Sequence, residues 1–260
     1  PAVDGDHGQI DITGGAFNLN GGIVQTGTIN HPGTGVFSFI GGTLHVETFN
    51  GTLIQNGGIL APGFSPGITT ITGDYGLDTA GTLEIELGGI ISGTEYDRVE
   101  VGNDANLFGT LDVSLINGFS PTYGDSFEFL TAGGILIDSF SSFTLPTPPV
   151  NAAWSLINDS GSLTLSLDST LVGDLNNDGF VGIDDLNIVL GAWNQNVPPG
   201  NPLADPSGDG FVGIDDLNTV LGNWNAGTPP TVQANIPEPA SLSLLIMGGL
   251  FGLKRPRMID

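Results

Sequence analysis

Four Asn-Gly steps, at Asn20, Asn50, Asn56 and Asn117, sit between short runs in which apolar and polar residues alternate. Glycine enters the left-handed backbone region without steric cost, and Asn-Gly between such runs is the strongest short signal for a tight turn between strands. The 42 glycines in 260 residues extend this punctuation along the chain and point to short strands rather than helices. In "GTLEIELGG", Leu83, Ile85 and Leu87 fall on one face and Thr82, Glu84 and Glu86 on the other. "GTLHVETF", "GTLDVSLINGFSP" and "GSLTLSL" repeat that period of two. From about Asp11 to Ser166 the chain reads as strands with one buried face, which makes the main body all-β.

Gly-Gly steps at Gly14, Gly21, Gly41 and Gly57 each precede a strand-like run, as expected if every turn stacks a new rung on the last. The run "GGILAPGFSPGITTITGDY", with "GTLEIELGG", "YDRVEV", "GTLDVSL" and "PTYGDSFEFL" after it, resembles the passenger segments of autotransporter-type surface proteins. That resemblance implies a right-handed β-helix, and a β-sandwich stays open as the alternative after Gly81. "TLPTPPV" reads as a surface loop before a last hairpin, with Trp154 capping the apolar end of the stack.

The charge balance excludes one class of partner. Twenty-eight acidic residues face four basic ones, and Lys254, Arg255 and Arg257 crowd the C-terminus, leaving Arg98 alone before it. Nucleic-acid affinity rests on Lys and Arg releasing counterions from phosphate, so DNA and RNA are not expected as partners. Clustered carboxylates call for a hard cation, and calcium is the one most available outside cells. The chain has no cysteine, which excludes a disulfide framework and thiolate metal sites. Starting at Pro1 without a leader, it reads as a processed or incomplete piece.

The segment "GDLNNDGFVGIDDLNIVLGAWN" is rewritten 31 residues later as "ADPSGDGFVGIDDLNTVLGNWN", with 16 of 22 positions identical. With Asp174 as position one of a twelve-residue loop, Asn176 falls at three, Asp178 at five, Gly179 at six, Phe180 at seven and Asp185 at twelve. A calcium loop takes side-chain oxygens from positions one, three, five and twelve and a backbone carbonyl from seven, with glycine at six for the turn. The second copy places Asp205, Ser207, Asp209, Gly210, Phe211 and Asp216 at the same positions. Two calcium ions are therefore the expected cofactors. Position nine is Gly182 or Gly213, which offers no side-chain ligand, and water is expected there. After each loop, Leu186, Val189, Leu190 and Trp193, and again Leu217, Val220, Leu221 and Trp224, fall at helical spacing. Packing Leu186, Leu190 and Trp193 against their counterparts would explain the duplication. One loop and one short helix cannot bury an apolar face alone.

Asp at position twelve, an exit helix without an entry helix, and two copies in one small module resemble a type I dockerin. The resemblance implies calcium-dependent folding and docking onto a cohesin-like protein through positions ten and eleven and the exit helix. Here those positions are Ile183 and Asp184, and Ile214 and Asp215. The Lys-Arg pair often found later in the helix is replaced by Leu190-Gly191 and Leu221-Gly222.

The tail runs Pro237-Glu238-Pro239, an apolar stretch from Ala240 to Leu253, then the basic cluster. Fourteen helical residues reach about 21 Å, short of the roughly 30 Å hydrocarbon core. The order of parts resembles the PEP-CTERM sorting signal. That implies export, transient insertion in a membrane through 240–253 and processing by an exosortase-type enzyme. A short permanent anchor is the alternative.

The chain is thus expected to be mainly β, with a β-solenoid body at 1–170, a dockerin-like calcium module at 171–227, a Pro-rich linker at 228–239 and a short apolar C-terminal helix within 240–260. No nucleophile motif or phosphate-binding loop occurs. Glu84 and Glu86 alternate with buried residues, with Asp97 and Glu100 nearby, and Arg98 is the lone candidate lyase base. The leading expectation is a non-catalytic, exported cell-surface or matrix protein. The runner-up is a dockerin-borne component that degrades or binds a polysaccharide.

Overall fold

The computed structural model describes residues 7–230, so the expected apolar tail helix lies outside the described residues. The chain is mainly β. Its strands are β1 (Gln9–Asp11), β2 (Ala16–Asn30), β3 (Val36–Asn50), β4 (Leu53–Pro62), β5 (Ile68–Ile71), β6 (Tyr75–Leu77), β7 (Gly81–Leu87) and β8 (Arg98–Val101). They continue as β9 (Ala105–Leu107), β10 (Thr110–Leu115), β11 (Ser126–Ala132), β12 (Leu136–Asp138), β13 (Ser142–Thr144), β14 (Ala152–Asp159) and β15 (Ser162–Ser169). Two helices follow, α1 (Ile183–Gly191) and α2 (Ile214–Gly222).

All 15 strands join one sheet that curls nearly closed around its core. Pairing is parallel from β1 to β13, and the chain visits its ladders in a fixed order. Tyr75 lies opposite Leu53 and Ala105, and Ala105 opposite Leu136. Thr82 lies opposite Ile59 and Thr110, and Thr110 opposite Ser142. Val99 lies opposite Thr69 and Leu130. In-register pairing puts like on like: Leu60, Leu83 and Leu111 share one row and are fully buried. Among the named strands, antiparallel pairing is confined to β11, β15 and β14, which cover the β8 end of the sheet. Trp154 packs over the core there, its ring 6.2 Å from Phe127 and its Nε1–H donating to the Pro146 carbonyl at 2.9 Å.

Asn50-Gly51 and Asn117-Gly118 fall at connections between strands as the turn signal predicts, and the other two Asn-Gly steps do not. Asn20-Gly21 and Asn56-Gly57 lie inside β2 and β4, and Gly41-Gly42 inside β3. At these steps the parallel register shifts and the strand bends. Gly42 and Gly58 have φ of +78° and +74°, and a Cβ on either would lie 2.6 Å from the carbonyl oxygen of the glycine below, Gly22 or Gly42. A corner repeated at such close approach admits only glycine. The doublets mark bends within parallel strands, where hairpins would have reversed the chain.

The described residues up to Pro229 form one compact unit with two apolar clusters. The larger fills the β body. The smaller lies between α1 and α2 and is built on Val181, Val189, Val212 and Val220, all fully buried, with Ala192 and Ala204. This corrects the expected helix contact: Leu186 and Leu217 are half-buried, while Leu190, Trp193, Leu221 and Trp224 are exposed. The helices end at Gly191 and Gly222, so each Trp lies past its helix and leaves the apolar stripe.

Candidate metal loops

Each acidic loop is shaped by its own carboxylates. In the first, Asp174 Oδ1 accepts from Asp178 N at 3.1 Å and Oδ2 from Gly179 N at 2.8 Å. Asn176 Oδ1 accepts from Asp178 N at 3.1 Å, its Nδ2 donates to Asp178 Oδ2 at 2.9 Å, and Asp178 Oδ1 accepts from Phe180 N at 2.9 Å. Asp185 is buried and accepts three amides: Leu175 N at 2.7 Å and Asn176 N at 3.2 Å on Oδ1, and Gly182 N at 2.7 Å on Oδ2. That last bond caps α1. Positions one and twelve thus fold the loop back on itself before any ligand is considered.

The second loop repeats the plan with heavier use of position one. Asp205 Oδ1 accepts from Ser207 Oγ, Gly208 N and Asp209 N at 3.1, 2.9 and 3.2 Å, and Oδ2 from Gly210 N at 2.9 Å. Asp209 Oδ1 accepts from Phe211 N at 2.8 Å. Buried Asp216 accepts from Ser207 N at 3.1 Å and Gly213 N at 2.7 Å. Burial pushes the Asp216 carboxyl up, but the donors from Gly213 and Ser207 outweigh it and the net shift is downward.

Sequence reasoning missed how the loops are joined. Val181 N donates to Ala226 O at 2.9 Å and Asn225 N to Val181 O at 2.9 Å. In the other copy, Val212 N donates to Gln195 O at 2.8 Å and Asn194 N to Val212 O at 2.9 Å. Each loop therefore pairs with the segment leaving the opposite helix. The only trace in the sequence is the valine at position eight of both copies.

The donor set suits a hard divalent cation. Carboxylate oxygens carry two lone pairs each, so those of Asp174, each holding one amide, keep accepting capacity. The carbonyl oxygens of Phe180 and Phe211, at position seven, receive no protein hydrogen bond among the described residues. Among the same residues, no group of three His, Cys, Asp or Glu side chains is placed to hold a metal ion. Asp178 and Asp209 each accept the amide of position seven, from Phe180 and Phe211.

The carboxylates on the body are arranged otherwise. Glu84 stands in register with Asp112 on the outer face, and burial first, then Glu86 and Asp112, raises its pKa. Asp97 is 1% exposed and pins two segments, accepting from Gly67 N at 2.7 Å and Glu86 N at 2.9 Å. Burial dominates there and lifts its pKa to about 7 despite those bonds. A carboxyl so enclosed has no access to substrate. Arg98 is committed to Glu128 at 3.1 Å and Glu100 at 3.5 Å. His7 reaches Glu47 at 3.1 Å and His31 bonds the Gly35 carbonyl, so these two histidines stand apart.

No protein-family model matches the chain, and no curated protein matches it at a significant level.

Proposed function

We propose that this is a non-catalytic, exported cell-surface or matrix protein. Its right-handed β-solenoid body carries a dockerin-like module that binds two calcium ions and docks a cohesin-like partner. The solenoid reading is supported by the parallel in-register ladders visited in constant order. Calcium would be held by Asp174, Asn176, Asp178, the Phe180 carbonyl and Asp185, and by Asp205, Ser207, Asp209, the Phe211 carbonyl and Asp216. Its chemistry there is charge neutralisation, which turns the repulsion among three carboxylates per loop into cohesion.

The observation that carries the docking role is a duplicated apolar surface. The valines fill the module's own core, yet Ile183 and Ile214 are 58% and 57% exposed, and Leu190 and Leu221 are 49% and 48% exposed. Four apolar side chains left exposed on so small a module support a surface for a partner. Limited proteolysis of the full chain tests the calcium step: cleavage within 171–227 is expected in chelator and suppressed in calcium. Identical digestion patterns would overturn it.

The tail supports export and exosortase-type processing by its order of parts alone. Among the described residues no helix is long and apolar enough to cross a membrane, and the tail lies outside them. Mass spectrometry of the mature protein is expected to end near Pro237 to Pro239. Recovery through Asp260 would instead support a permanent anchor.

A further inference from the structure

A cleft lies in the body, at a corner where residues 12–15, 31–35 and 51–52 stack. Its volume of about 660 Å³ is within the range of small-ligand clefts. Thr13, Asn30, His31, Pro32, Asn50 and Thr52 line it together with two glycines. The chain has 28 carboxylates, and none of them is in that lining.

The cleft wall is a carboxamide ladder. Asn30 and Asn50 are register partners, Asn50 Nδ2 donates to Asn30 Oδ1 at 2.7 Å, and Asn30 Nδ2 donates to Asp11 Oδ1 at 2.7 Å. The ladder stops at Asn50, whose Oδ1 receives no protein hydrogen bond among the described residues. His31 Nε2 donates to the Gly35 carbonyl at 3.0 Å, which leaves Nδ1 as an acceptor, and its ring stands edge-on to Phe49 at 6.1 Å. The Thr13 carbonyl accepts from Thr34 Oγ1 at 3.0 Å, and the Thr13 hydroxyl has no protein partner among the described residues.

We propose that this cleft binds a neutral polyhydroxylated ligand, namely a segment of uncharged polysaccharide. Sugar hydroxyls both donate and accept, which matches the Asn50 carboxamide oxygen, the Thr13 hydroxyl and the His31 Nδ1 in the lining, the Thr52 hydroxyl being already engaged with Asp74. The exposed Pro32 ring in the lining offers an apolar contact for the C–H face of a sugar ring. A cation would need carboxylate ligands that the lining lacks. An acidic glycan would meet a net charge of −24 and find no Lys or Arg in the cleft. The inference is independent of the calcium loops.

Saturation-transfer NMR on the full chain with soluble cello-, manno- and xylo-oligosaccharides tests it, with oligogalacturonate as the acidic comparator. Transfer to at least one neutral series is expected, weakened about tenfold by Asn50→Ala, the size of one good hydrogen bond. Thr13→Trp pushes bulk into the cleft from an exposed position without removing a side-chain bond, and should abolish transfer while circular dichroism stays unchanged. No transfer to any neutral series, preference for oligogalacturonate, or undiminished binding in folded Thr13→Trp would each overturn the proposal.

Discussion

At position four of the first loop stands Asn177, and at position four of the second stands Gly208, with φ of 59° and 71°. Asparagine and glycine both tolerate the left-handed turn that the loop demands, so the backbone does not distinguish them. The side chain does. Asn177 Oδ1 accepts from Ser169 N, and its Nδ2 donates to Leu167 O at 3.4 Å and Asp168 Oδ1 at 3.3 Å, tying the loop to β15. Beside it, the ring of Tyr123 lies over Gly179 so closely that a Cβ there would collide. No hydrogen bond joins the second loop to residues before 171 among the described residues. The duplication therefore gives one loop fixed to the body and one that faces solvent, and the divergent first residues of each copy are where the difference is written.

The two buried aspartates at position twelve give the largest contrast. Asp185→Ala orphans three amides and Asp216→Ala two, at about 1–3 kcal/mol per buried unpaired group. Denaturant melts should show Asp185→Ala as the more damaging, by about 1–3 kcal/mol for the one extra amide it orphans. Equal losses would break the asymmetry.

Exchanging the position-four residues is a milder probe. Asn177→Gly keeps the turn and deletes the bonds to β15, so stability should fall by about 1–2 kcal/mol. Gly208→Asn has no body neighbour to meet and should change stability by about 0.5 kcal/mol or less. If Asn177→Gly proves neutral in the same melts, the tie to the body contributes nothing.

The body and the module should also respond to pH, with opposite signs. Asp97 has its folded pKa raised to about 7, so the folded state holds an extra proton above the ordinary aspartate range. Its contribution to stability is full in acid and is lost as pH rises toward 7. Asp216 has its folded pKa lowered, so its contribution is present at neutral pH and lost as pH falls through the folded value. Asp97→Asn should flatten the neutral limb of a stability-against-pH curve measured by melts and leave the acid limb unchanged. An unchanged neutral limb would remove Asp97 as its source.

Much of this was legible in sequence because it depends on local pattern. The period-two runs give Leu83, Ile85 and Leu87 a buried face, and the alternating residues remain partly exposed. The loop positions were legible because each Asp bends a backbone only a few residues away. Less legible were features set by distant partners. Nothing near Gly42 says that a carbonyl from the rung below will press on it, and nothing near Asn177 names Ser169. The apolar stripe of α1 was misread for a related reason. Helical spacing was carried past Gly191, where the helix stops, and it passed over Val181, which is buried from outside the helix by a strand-like bridge.

Calcium titration of the full chain by calorimetry addresses the central claim most directly, with Asp178→Ala and Asp209→Ala beside the parent. Two ions per chain are expected, with each variant losing one. The site retained in Asp209→Ala should be the tighter, because its loop is already held by the body while Asp205 Oδ1 must give up donors to take a metal. A ligand present at about 100 times its dissociation constant stabilises the folded state by roughly 2.7 kcal/mol, so melting should rise with calcium in step with the number of intact loops. Absence of heat on titration, together with identical melts in calcium and chelator, would contradict the account.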